Sequence, residues 1–529
     1  MITLLDYGAG NVRSVRNAVN HLGAEIVDVT SPQDIIDADK LIFPGVGSFG
    51  LVMQRLRDQG YTEPLIKRIE MQKPFLGICV ALQALFEQSE ESPGVRGLGI
   101  IRGAVTKFPD SCASIPHMGW NGLKVHKACS LLNQYQDERM YFVHSYCAAK
   151  NQVPDEWLVA TTDYGEEFVS ALGKENILAL QFHPEKSGGA GLQLLKNFIQ
   201  PPTYEITSPT TQKKHERTTL AKRIIACLDV RSDDHGELVV TKGDQYDVRE
   251  QGAVRNLGRP AAMAHRYYEE GADEITFLNI TGFRDFPLAD QPMLRLLEET
   301  SKQVFVPLTI GGGIRGFTDE NGVEYSALEV ASTYFRSGAD KVSIGGDAVS
   351  TVEKFLASGT ASGKSSIEQI SGVYGAQAVV ISVDPRRVYV SAPDETHHAT
   401  IETADPGPNG ECYCWYQCTV KGGREGRDLD VIQLVSGCEA LGAGEILLNC
   451  IDRDGSKNGF DLELIKHVQA AVSIPVIASS GAGAPVHFSD VFVVTDVEAA
   501  LAAGIFHRDE VSIEEVKQEL INRGIVVRL

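Results

Sequence analysis

A cysteine, a histidine and a glutamate stand where they could form a nucleophilic site. Cys79 lies in PFLGICVALQALFE, where an apolar strand runs into the cysteine and a helical segment begins. Such a turn presents the sulfur to a cleft, and a helix N-terminus favours the thiolate. His183 and Glu185 follow a second apolar strand within QFHPEKSGG, and would supply a base and the carboxylate that orients it. Alone, each segment is equally explained as a buried cysteine or a surface loop; together they favour cysteine-based acyl chemistry.

Two aspartates end strand-like segments that an internal repeat relates to each other. RIIACLD ends at Asp229 and AVVISVD ends at Asp384, while GADEITFLNI and VPLTIGGGI recur as GAGEILLNCI and IPVIASSGA. Because the matches keep the same order, they indicate a barrel built from two similar halves. Carboxylates at the C-terminal ends of opposite strands can divide general acid and base roles. Each aspartate alone could cap a helix, but the repeat-related pair favours catalysis.

Glycine-rich loops follow several of these strands and come in two sets, one in each half of the repeat. Glycine allows backbone N–H groups and helix N-termini to approach phosphate oxygens, so the loops predict two phosphate sites. Any one loop is also explained as an ordinary turn. The predicted phosphate-binding residues are Gly312, Gly313, Gly345, Gly346, Ser480, Gly481 and Gly504.

The elements that must position these residues have an α/β pattern throughout. In residues 1–200, short apolar strands alternate with helical segments. Residues 201–220 are rich in proline, threonine and charge, and we interpret them as a linker. Residues 221–529 contain eight strand-like segments with helices between them, which predicts a (β/α)₈ TIM barrel with a two-fold half-barrel repeat.

Length and composition exclude several classes of protein. The 529 residues exceed what one hydrophobic core usually supports, and the formal net charge of −21 disfavours a nucleic-acid binder. The ten cysteines are scattered, which suits a reducing compartment better than a disulfide framework. No apolar run is long enough for a membrane span, and MITLLDYGAGNV predicts a first strand rather than a targeting peptide. We expect a cytoplasmic enzyme, or a plastid enzyme if a transit peptide has been removed.

The first part of the chain resembles the class I glutamine amidotransferases, whose α/β domain is flavodoxin-like. The resemblance rests on GIC with Gln83 four residues after the cysteine, on the later HPE, and on DYGAGNVRSV and FPGVGSFG, which resemble the subgroup serving histidine biosynthesis. It implies that Cys79 attacks a glutamine amide, that His183 is the base and acid, and that Gln83 helps to place the substrate. Gly45, Val46 and Gly47 would supply N–H groups for the oxyanion. Ala81 replaces the family's usual glycine, and we expect activity to be kept but reduced.

The second part resembles the cyclase of the imidazole glycerol phosphate synthase family, on strings such as VVTKGDQY, GADKVSIG, GAGEILLNCIDRDG and IPVIASSGAG. The order of the parts resembles the fused fungal and plant form. The resemblance implies that ammonia reacts with a bis-phosphorylated ribulosyl-formimino aminoimidazole carboxamide ribonucleotide. The products would be imidazole glycerol phosphate and aminoimidazole carboxamide ribonucleotide. Lys242 would close over the substrate and Asp452 would bind it.

Charged residues at the barrel's strand starts predict how the two sites are coupled. Ammonia is protonated in water, so a dry route from the strand N-termini to the barrel mouth would keep it nucleophilic. Each charge is also explained as part of an ordinary solvated rim. The resemblance implies a salt-bridged gate of Arg223, Glu274, Lys341 and Glu445, with Asp340, Lys186 and Tyr141 at the domain interface.

The sequence leaves two alternative functions open. One is an ammonia-dependent cyclase whose glutaminase-like domain is a non-catalytic scaffold; the other is the sister isomerase of the same pathway, which needs no ammonia. We expect no cofactor and no metal: Cys412, Cys414 and Cys418 lie in an apparent β-hairpin, and His397 and His398 lie in a stretch interpreted as a solvent loop. No G-x-G-x-x-G unit predicts a dinucleotide.

Overall fold

The structure is a computed structural model that describes residues 1–8, 11–201, 218–241, 249–250, 253–254, 256–280, 288 and 291–529. Within that part of the chain, no helix is both long and apolar enough to cross a membrane. Most of the predicted linker and the predicted substrate-binding residue Lys242 lie outside the described residues.

The first part of the chain contains a main sheet that is covered on both faces, and two smaller sheets. Its strands are β1 (Ile2–Leu4), β2 (Ile26–Asp28), β3 (Lys40–Phe43), β4 (Phe75–Ile78), β5 (Phe86–Ser89), β6 (Ile101–Lys107), β7 (His117–Asn121), β8 (Lys124–Val125), β9 (Met140–His144), β10 (Tyr146–Cys147), β11 (Leu158–Tyr164), β12 (Glu166–Lys174) and β13 (Ile177–Leu180). Its helices are α1 (Val12–His21), α2 (Pro32–Asp37), α3 (Phe49–Asp58), α4 (Thr62–Glu70), α5 (Val80–Ala84) and α6 (Gly188–Ile199).

The main sheet has the order β2-β1-β3-β4-β13-β12-β11-β8, parallel from β2 to β13 and antiparallel beyond it. Two separate apolar clusters cover its faces, because the central strands carry buried residues on both sides. β4 and β13 are neighbours at the centre, and their C-terminal ends therefore meet at one edge. This places the segments after Ile78 and Leu180 side by side.

The second part contains the strands β14 (Arg223–Ser232), β15 (Leu238–Val240), β16 (Arg249–Glu250), β17 (Ala253–Val254), β18 (Glu274–Asn279), β19 (Leu308–Gly311), β20 (Phe317–Thr318), β21 (Glu324–Tyr325), β22 (Lys341–Ile344), β23 (Val379–Val383), β24 (Pro385–Val390), β25 (Thr400–Glu402), β26 (Tyr413–Val420), β27 (Glu425–Asp430), β28 (Glu445–Asn449), β29 (Val476–Ser479) and β30 (Ala499–Ala502). Its helices are α7 (Pro260–Glu269), α8 (Pro292–Thr300), α9 (Ala327–Ser337), α10 (Gly346–Ser358), α11 (Ser366–Tyr374), α12 (Val431–Ala440), α13 (Leu462–Gln469), α14 (Pro485–Thr495), α15 (Gly504–His507) and α16 (Ile513–Asn522).

Eight parallel strands close into a barrel in the order β14-β18-β19-β22-β23-β28-β29-β30, and β30 pairs with β14 to complete the circle. Each predicted barrel strand is present, so the predicted TIM barrel is confirmed. The apolar outer faces of the strands pack against the surrounding helices in one large core. The inner faces form a smaller apolar cluster of their own.

An antiparallel sheet follows the fifth barrel strand. β26 is central in it and pairs with β24, β25 and β27. The YCWYQC segment therefore forms a strand, as its alternation predicts, with Cys414 and Cys418 buried and Cys412 exposed. The interpretation of the preceding histidines as a solvent loop is only half right, because His398 is buried at 7% exposure while His397 is exposed.

Candidate active sites and the path between them

Cys79 sits on a sharp turn between β4 and α5. Its backbone has φ 53° and ψ −108°, a combination that a residue with a side chain rarely adopts, and strain of this kind concentrates at functional sites. Its N–H donates to the Leu180 carbonyl at 2.6 Å, which fastens the turn to the end of β13. Ala81 lies within the α5 helix and is fully buried. Its backbone is ordinary α-helix, so its Cβ is not attached at the strained residue, which is Cys79.

His183 and Glu185 form a buried pair on the turn that follows β13. His183 Nδ1 donates to Glu185 Oε1 at 2.7 Å, and both side chains are almost fully buried. Burial alone would lower the pKa of His183, but the Glu185 carboxylate and the Cys79 sulfur raise it well above its usual value. Because Nδ1 is held by the carboxylate, Nε2 is the nitrogen left for proton exchange with sulfur.

The predicted oxyanion turn packs directly against the nucleophile turn. A Cβ at Gly45 would lie 1.9 Å from the Ile78 carbonyl and 2.7 Å from the Val80 nitrogen, so only glycine fits there. The next peptide is engaged by a tyrosine: the Val46 N–H donates to the Tyr7 hydroxyl at 3.1 Å, and that hydroxyl donates to the Val46 carbonyl at 2.9 Å. In this conformation the Val46 N–H is hydrogen-bonded to Tyr7 and does not point to an oxyanion as a free donor.

Gln83 reaches the nucleophile through a second glutamine. Its Nε2 donates to the Tyr146 carbonyl at 3.0 Å and to Gln181 Oε1 at 3.3 Å, and Gln181 Nε2 lies 3.6 Å from Cys79 Sγ. Gln83 is not among the described residues that line the cavity beside Cys79. In this conformation it acts on the site through Gln181, a residue that its spacing in the sequence does not single out.

One cavity connects the cysteine to the bottom of the barrel. Cys79, His183 and Tyr141 line it from the first domain, and Asp340 and Lys341 line it from the barrel. Its volume of about 50 Å³ suits a molecule as small as ammonia. The sequence-predicted nucleophile and one predicted gate residue are therefore neighbours across the domain interface.

The four predicted gate residues form a closed ring of alternating charge. Arg223 pairs with Glu274 at 3.0 Å and with Glu445 at 2.5 Å, while Lys341 pairs with the same two carboxylates at 2.7 and 2.6 Å. Each residue is the first of its strand, and each side chain is at most 1% exposed. Burial would raise the pKa of Glu445, but Arg223 and Lys341 hold it below its usual value. This burial excludes the alternative explanation, in which the four charged residues belong to a solvated rim.

The three predicted interface residues lie beside this ring. Lys186 Nζ binds Asp340 Oδ2 at 2.7 Å, and Asn11 Nδ2 donates to the other oxygen of that carboxylate at 2.8 Å. The Tyr141 carbonyl accepts the His183 N–H at 2.9 Å, and burial followed by the nearby Glu274 raises the pKa of Tyr141 well above its usual value. Tyr141 therefore binds the turn of His183 through its backbone, and its side chain lies within the electrostatic influence of the ring.

The interior of the barrel between the ring and the mouth is mostly apolar, with a few buried hydroxyl groups such as those of Thr309 and Ser343. Arg223, Ile225, Cys227 and Asp229 alternate along the inner face of β14, and the inward cluster around them also contains Val380, Leu447, Ile477, Ala499 and Leu501. At about 3.3 Å per residue, the path from Arg223 to Asp229 is about 20 Å along the strand. Water held in such an interior would find few polar partners.

Asp229 and Asp384 stand at the mouth of the barrel, where the sequence predicts them. Asp229 lines a cavity of about 330 Å³. Asp384 Oδ1 accepts a hydrogen bond from Asn449 Nδ2 at 2.9 Å. Burial raises the pKa of Asp384, and the charge of Asp454 adds to this effect, while the Asn449 hydrogen bond opposes it. A carboxyl group with a raised pKa suits proton transfer.

Asp452, the predicted substrate ligand, lies elsewhere in this conformation. It is exposed, and its Oδ2 accepts the Arg387 N–H at 2.8 Å. Asp454, which the sequence analysis does not name, lines the mouth cavity beside Asp229. A short helical turn over Ile451–Arg453 changes the direction of the chain between the two aspartates, which the sequence pattern gives no means of seeing.

The two predicted sets of glycine-rich loops differ in their relation to the mouth cavity. Ser480, Gly481 and Gly504, the second predicted set, line it. Gly312, Gly313, Gly345 and Gly346 are not among its described lining residues; Gly345 caps α10, whose first residue is Gly346. The second set thus faces the same cavity as Asp229, and the first set lies on strand ends across the barrel.

Three cationic or ionisable residues at the mouth escape the sequence analysis. Lys457 and Arg508 line the cavity and both bind Glu510, at 2.7 and 2.8 Å. His507 lines it as well; its Nδ1 lies 2.6 Å from the Tyr267 hydroxyl, and burial followed by nearby arginines lowers its pKa to about 4. The only sequence signal is that these residues follow the glycine-rich loops or the aspartates by a few positions.

Comparison with known proteins finds two family models, each of which matches a different part of the chain. Residues 3–201 match the family model described as glutamine amidotransferase class-I, and residues 223–512 match that described as histidine biosynthesis protein. Imidazole glycerol phosphate synthase hisHF, chloroplastic, from Arabidopsis thaliana is 58% identical over 535 residues, covering 100% of this chain and 90% of that protein. The chain belongs to the imidazole glycerol phosphate synthase family. It is an enzyme with fused glutamine amidotransferase and cyclase domains.

Further relatives show both the fused and the separate form. Imidazole glycerol phosphate synthase hisHF from Schizosaccharomyces pombe is 54% identical over 539 residues, covering 100% of both chains. Imidazole glycerol phosphate synthase subunit HisF from Haloarcula marismortui is 42% identical over 311 residues, which is 59% of this chain and 100% of that subunit. The barrel of this chain thus corresponds to a whole subunit in the archaeal relative.

Proposed function

We propose that the chain hydrolyses glutamine at Cys79 and passes the ammonia through the barrel. At the barrel mouth the ammonia would react with the bis-phosphorylated ribulosyl-formimino aminoimidazole carboxamide ribonucleotide. The products are imidazole glycerol phosphate and aminoimidazole carboxamide ribonucleotide. The observation that carries the proposal is the interdomain cavity, which is lined by the nucleophile at one end and by Lys341 of the charged ring at the other.

The glutaminase half of the reaction follows from the Cys79–His183–Glu185 geometry. The Cys79 thiolate adds to the amide carbon, and His183 gives its proton to the leaving nitrogen, so that ammonia departs and a thioester remains. Water then attacks the thioester, with His183 accepting its proton, and glutamate is released. The Glu185 carboxylate, 2.7 Å from His183 Nδ1, stabilises the imidazolium that forms between these steps.

Ammonia leaving Cys79 needs a route that keeps it unprotonated. The ring of Arg223, Glu274, Lys341 and Glu445 closes the strand N-termini, so at least one ion pair must part to let it enter. Lys341 is the natural candidate, because its compact ammonium on a flexible four-carbon stem can move more easily than the planar, forked guanidinium of Arg223. Beyond the ring, the inner face of the barrel is mostly apolar, and the described polar groups on it include weakly acidic hydroxyls such as that of Ser343, which do not protonate ammonia.

At the mouth, Asp229 and Asp384 would exchange protons with the substrate as general base and acid. The raised pKa of Asp384 suits the acid, and Asp229 would be the base. One phosphate would bind at Ser480, Gly481 and Gly504 with Lys457 and Arg508 nearby, and the other at the loops of Gly312 and Gly345. These backbone N–H groups and few cations bind phosphate without altering the acidic balance of the whole chain.

The scaffold alternative makes the first domain a support for an ammonia-dependent cyclase. The buried His183–Glu185 pair beside a strained Cys79 argues against it, because a scaffold does not require either feature. The isomerase alternative is disfavoured because isomerisation needs neither glutamine nor a path for ammonia.

Assays of purified protein with glutamine or with ammonium chloride test this proposal. Cys79→Ala should lose glutamate release and glutamine-dependent imidazole glycerol phosphate formation, while it keeps the ammonium-dependent reaction. Glutamate release that persists in Cys79→Ala, or wild-type protein that works only with ammonium, would favour the scaffold. Failure of wild type with both nitrogen sources would refute the cyclase assignment.

We propose a cytoplasmic location, with the plastid as the second candidate because the Arabidopsis relative is named chloroplastic. Fluorescence microscopy of the full chain, tagged at its C-terminus and expressed in the source cell, distinguishes the two.

A further inference from the structure

Two histidines and an aspartate on the sheet that follows the fifth barrel strand bring three ligand atoms together. The chosen atoms of His397, His398 and Asp428 all lie within 4.8 Å of one another. Asp428 Oδ1 is 2.9 Å from His398 Nε2 and 3.7 Å from His397 Nε2. In a tetrahedral zinc site with bonds of about 2.0–2.1 Å, neighbouring ligand atoms are about 3.4 Å apart. The two measured distances lie on either side of that spacing.

His398 is held in the way that a metal-binding histidine usually is. Its ring is buried and stacks on Trp415, with centroids 3.8 Å apart and planes 18° from parallel. Its second nitrogen, Nδ1, faces Asp430 Oδ2 at 3.4 Å and makes no hydrogen bond to any described residue. When Nε2 binds a metal ion the ring proton lies on Nδ1, and a small shift would then let Nδ1 donate to the Asp430 carboxylate.

The other two ligands can adjust to an ion. His397 and Asp428 are exposed, with side-chain exposures of 70% and 83%, so small shifts of either meet little resistance. Asp430 is fixed instead: it caps α12 by accepting the Gln433 N–H at 2.8 Å and also accepts the Ala399 N–H at 3.1 Å. The cluster thus has one rigid ligand, one rigid supporting carboxylate and two adaptable ligands open to solvent.

We propose that His397, His398 and Asp428 bind a divalent transition-metal ion of the zinc type, with water as the fourth ligand. Two neutral imidazoles and one carboxylate form a donor set that zinc accepts. The ion would join the segment before β25 to the end of β27, and so clamp the sheet that borders the barrel mouth. This site lies apart from the residues that the proposed reaction uses.

Zinc titration of the chelator-treated full chain tests the proposal by calorimetry. We expect one saturable site that is absent in His397→Ala and in Asp428→Asn. Asp430→Asn keeps a good helix cap but loses the supporting carboxylate, and should weaken binding about 10- to 100-fold. His265→Ala removes another histidine, which is partly exposed and pairs with Glu269 on its own helix, and this variant should bind zinc as wild type does.

Cobalt spectroscopy separates this site from the free cysteines of the chain. Cobalt bound by imidazole and carboxylate should give weak visible bands without an intense thiolate charge-transfer band, and the bands should vanish in His397→Ala. Zinc should also raise the melting temperature of wild type more than that of His397→Ala. Equal zinc binding by wild type, His397→Ala and Asp428→Asn, or no saturable binding by wild type, would overturn the proposal and leave an ordinary ion-pair cluster.

Discussion

Replacing Tyr7 with phenylalanine removes the hydroxyl that forms hydrogen bonds with both the N–H and the carbonyl of Val46. The hydroxyl accepts from the Val46 N–H at 3.1 Å and donates to the Val46 carbonyl at 2.9 Å. If the Val46 N–H is the oxyanion donor, as proposed, it must leave Tyr7 before the tetrahedral intermediate forms. The conformation with Tyr7 bound is then a resting state, and Tyr7→Phe destabilises it.

The size of the effect follows from the number of hydrogen bonds lost. A hydrogen bond in a protein contributes a net 0.5–1.5 kcal/mol, roughly, so two contribute about 1–3 kcal/mol. At about 1.4 kcal/mol for each factor of ten, the population with a free Val46 N–H rises about fivefold to about a hundredfold. We therefore expect glutamate release in the absence of any ligand at the barrel mouth to rise about tenfold in Tyr7→Phe.

Glutamate release, with and without a substrate analogue at the barrel mouth, is the assay. We expect an analogue at the barrel mouth to raise glutamate release by wild type, and this increase should be smaller in Tyr7→Phe because its resting state is already destabilised. Tyr135→Phe is a matched control: its hydroxyl also accepts a backbone N–H, from Leu123 at 3.2 Å, and donates to a carbonyl, of Glu138 at 2.8 Å, away from Cys79. An unchanged or lower basal rate in Tyr7→Phe, or an equal rise in Tyr135→Phe, would refute the reasoning.

Three further changes test other parts of the account. Glu445→Gln leaves the two buried cations of the ring with the single carboxylate of Glu274, and should lower stability in urea unfolding by about 3–5 kcal/mol. Asp496→Asn, which loses the exposed pair with Lys222, should cost less than about 1 kcal/mol. Equal losses would contradict the burial of the ring. Burial lowers the pKa of His144 to about 3 from 6.5, so its neutral form stabilises the fold above pH 6.5, and this stability is lost as the pH falls. Between pH 7 and pH 5 the loss is about 2 kcal/mol, and urea midpoints for His144→Gln should show a shallower pH dependence than wild type; the same slope would exclude His144 as its source. Asp454→Asn should lower ammonium-dependent cyclase activity at least about 100-fold and leave glutamate release intact, because Asp454 lines the mouth cavity. Asp452→Asn should have the smaller effect on the cyclase. The reverse order would show that Asp452, rather than Asp454, binds the substrate.

Much of the fold can be predicted from the sequence because its strands carry strong local signals. The barrel strands are short apolar runs that recur in the same order, and buried parallel strands require such runs. Asp229 and Asp384 are found by the same repeat, since equivalent strands end at equivalent places. Cys79 and His183 follow two strands that turn out to be neighbours in the sheet, which brings the residues together.

What the sequence does not reveal depends on contacts between distant segments. The bond between Tyr7 and Val46 spans 39 positions and leaves no local pattern. Asp452 lies within a short helical turn and Asp454 directly follows it, and no local pattern shows which of the two faces the mouth cavity. The neighbours of His398 in the sequence are polar, yet Trp415 on the adjacent strand stacks on its ring and buries it. Each of these depends on tertiary packing rather than on residue type or spacing.

The central claim is that ammonia travels from Cys79 to the barrel mouth without leaving the protein. Its most direct test gives the wild-type enzyme glutamine labelled with ¹⁵N in the amide, together with a large excess of unlabelled ammonium in solution. If the path is internal, the nitrogen newly incorporated into imidazole glycerol phosphate remains almost fully ¹⁵N-labelled. Dilution of the label to the isotopic composition of the dissolved ammonium would contradict the account.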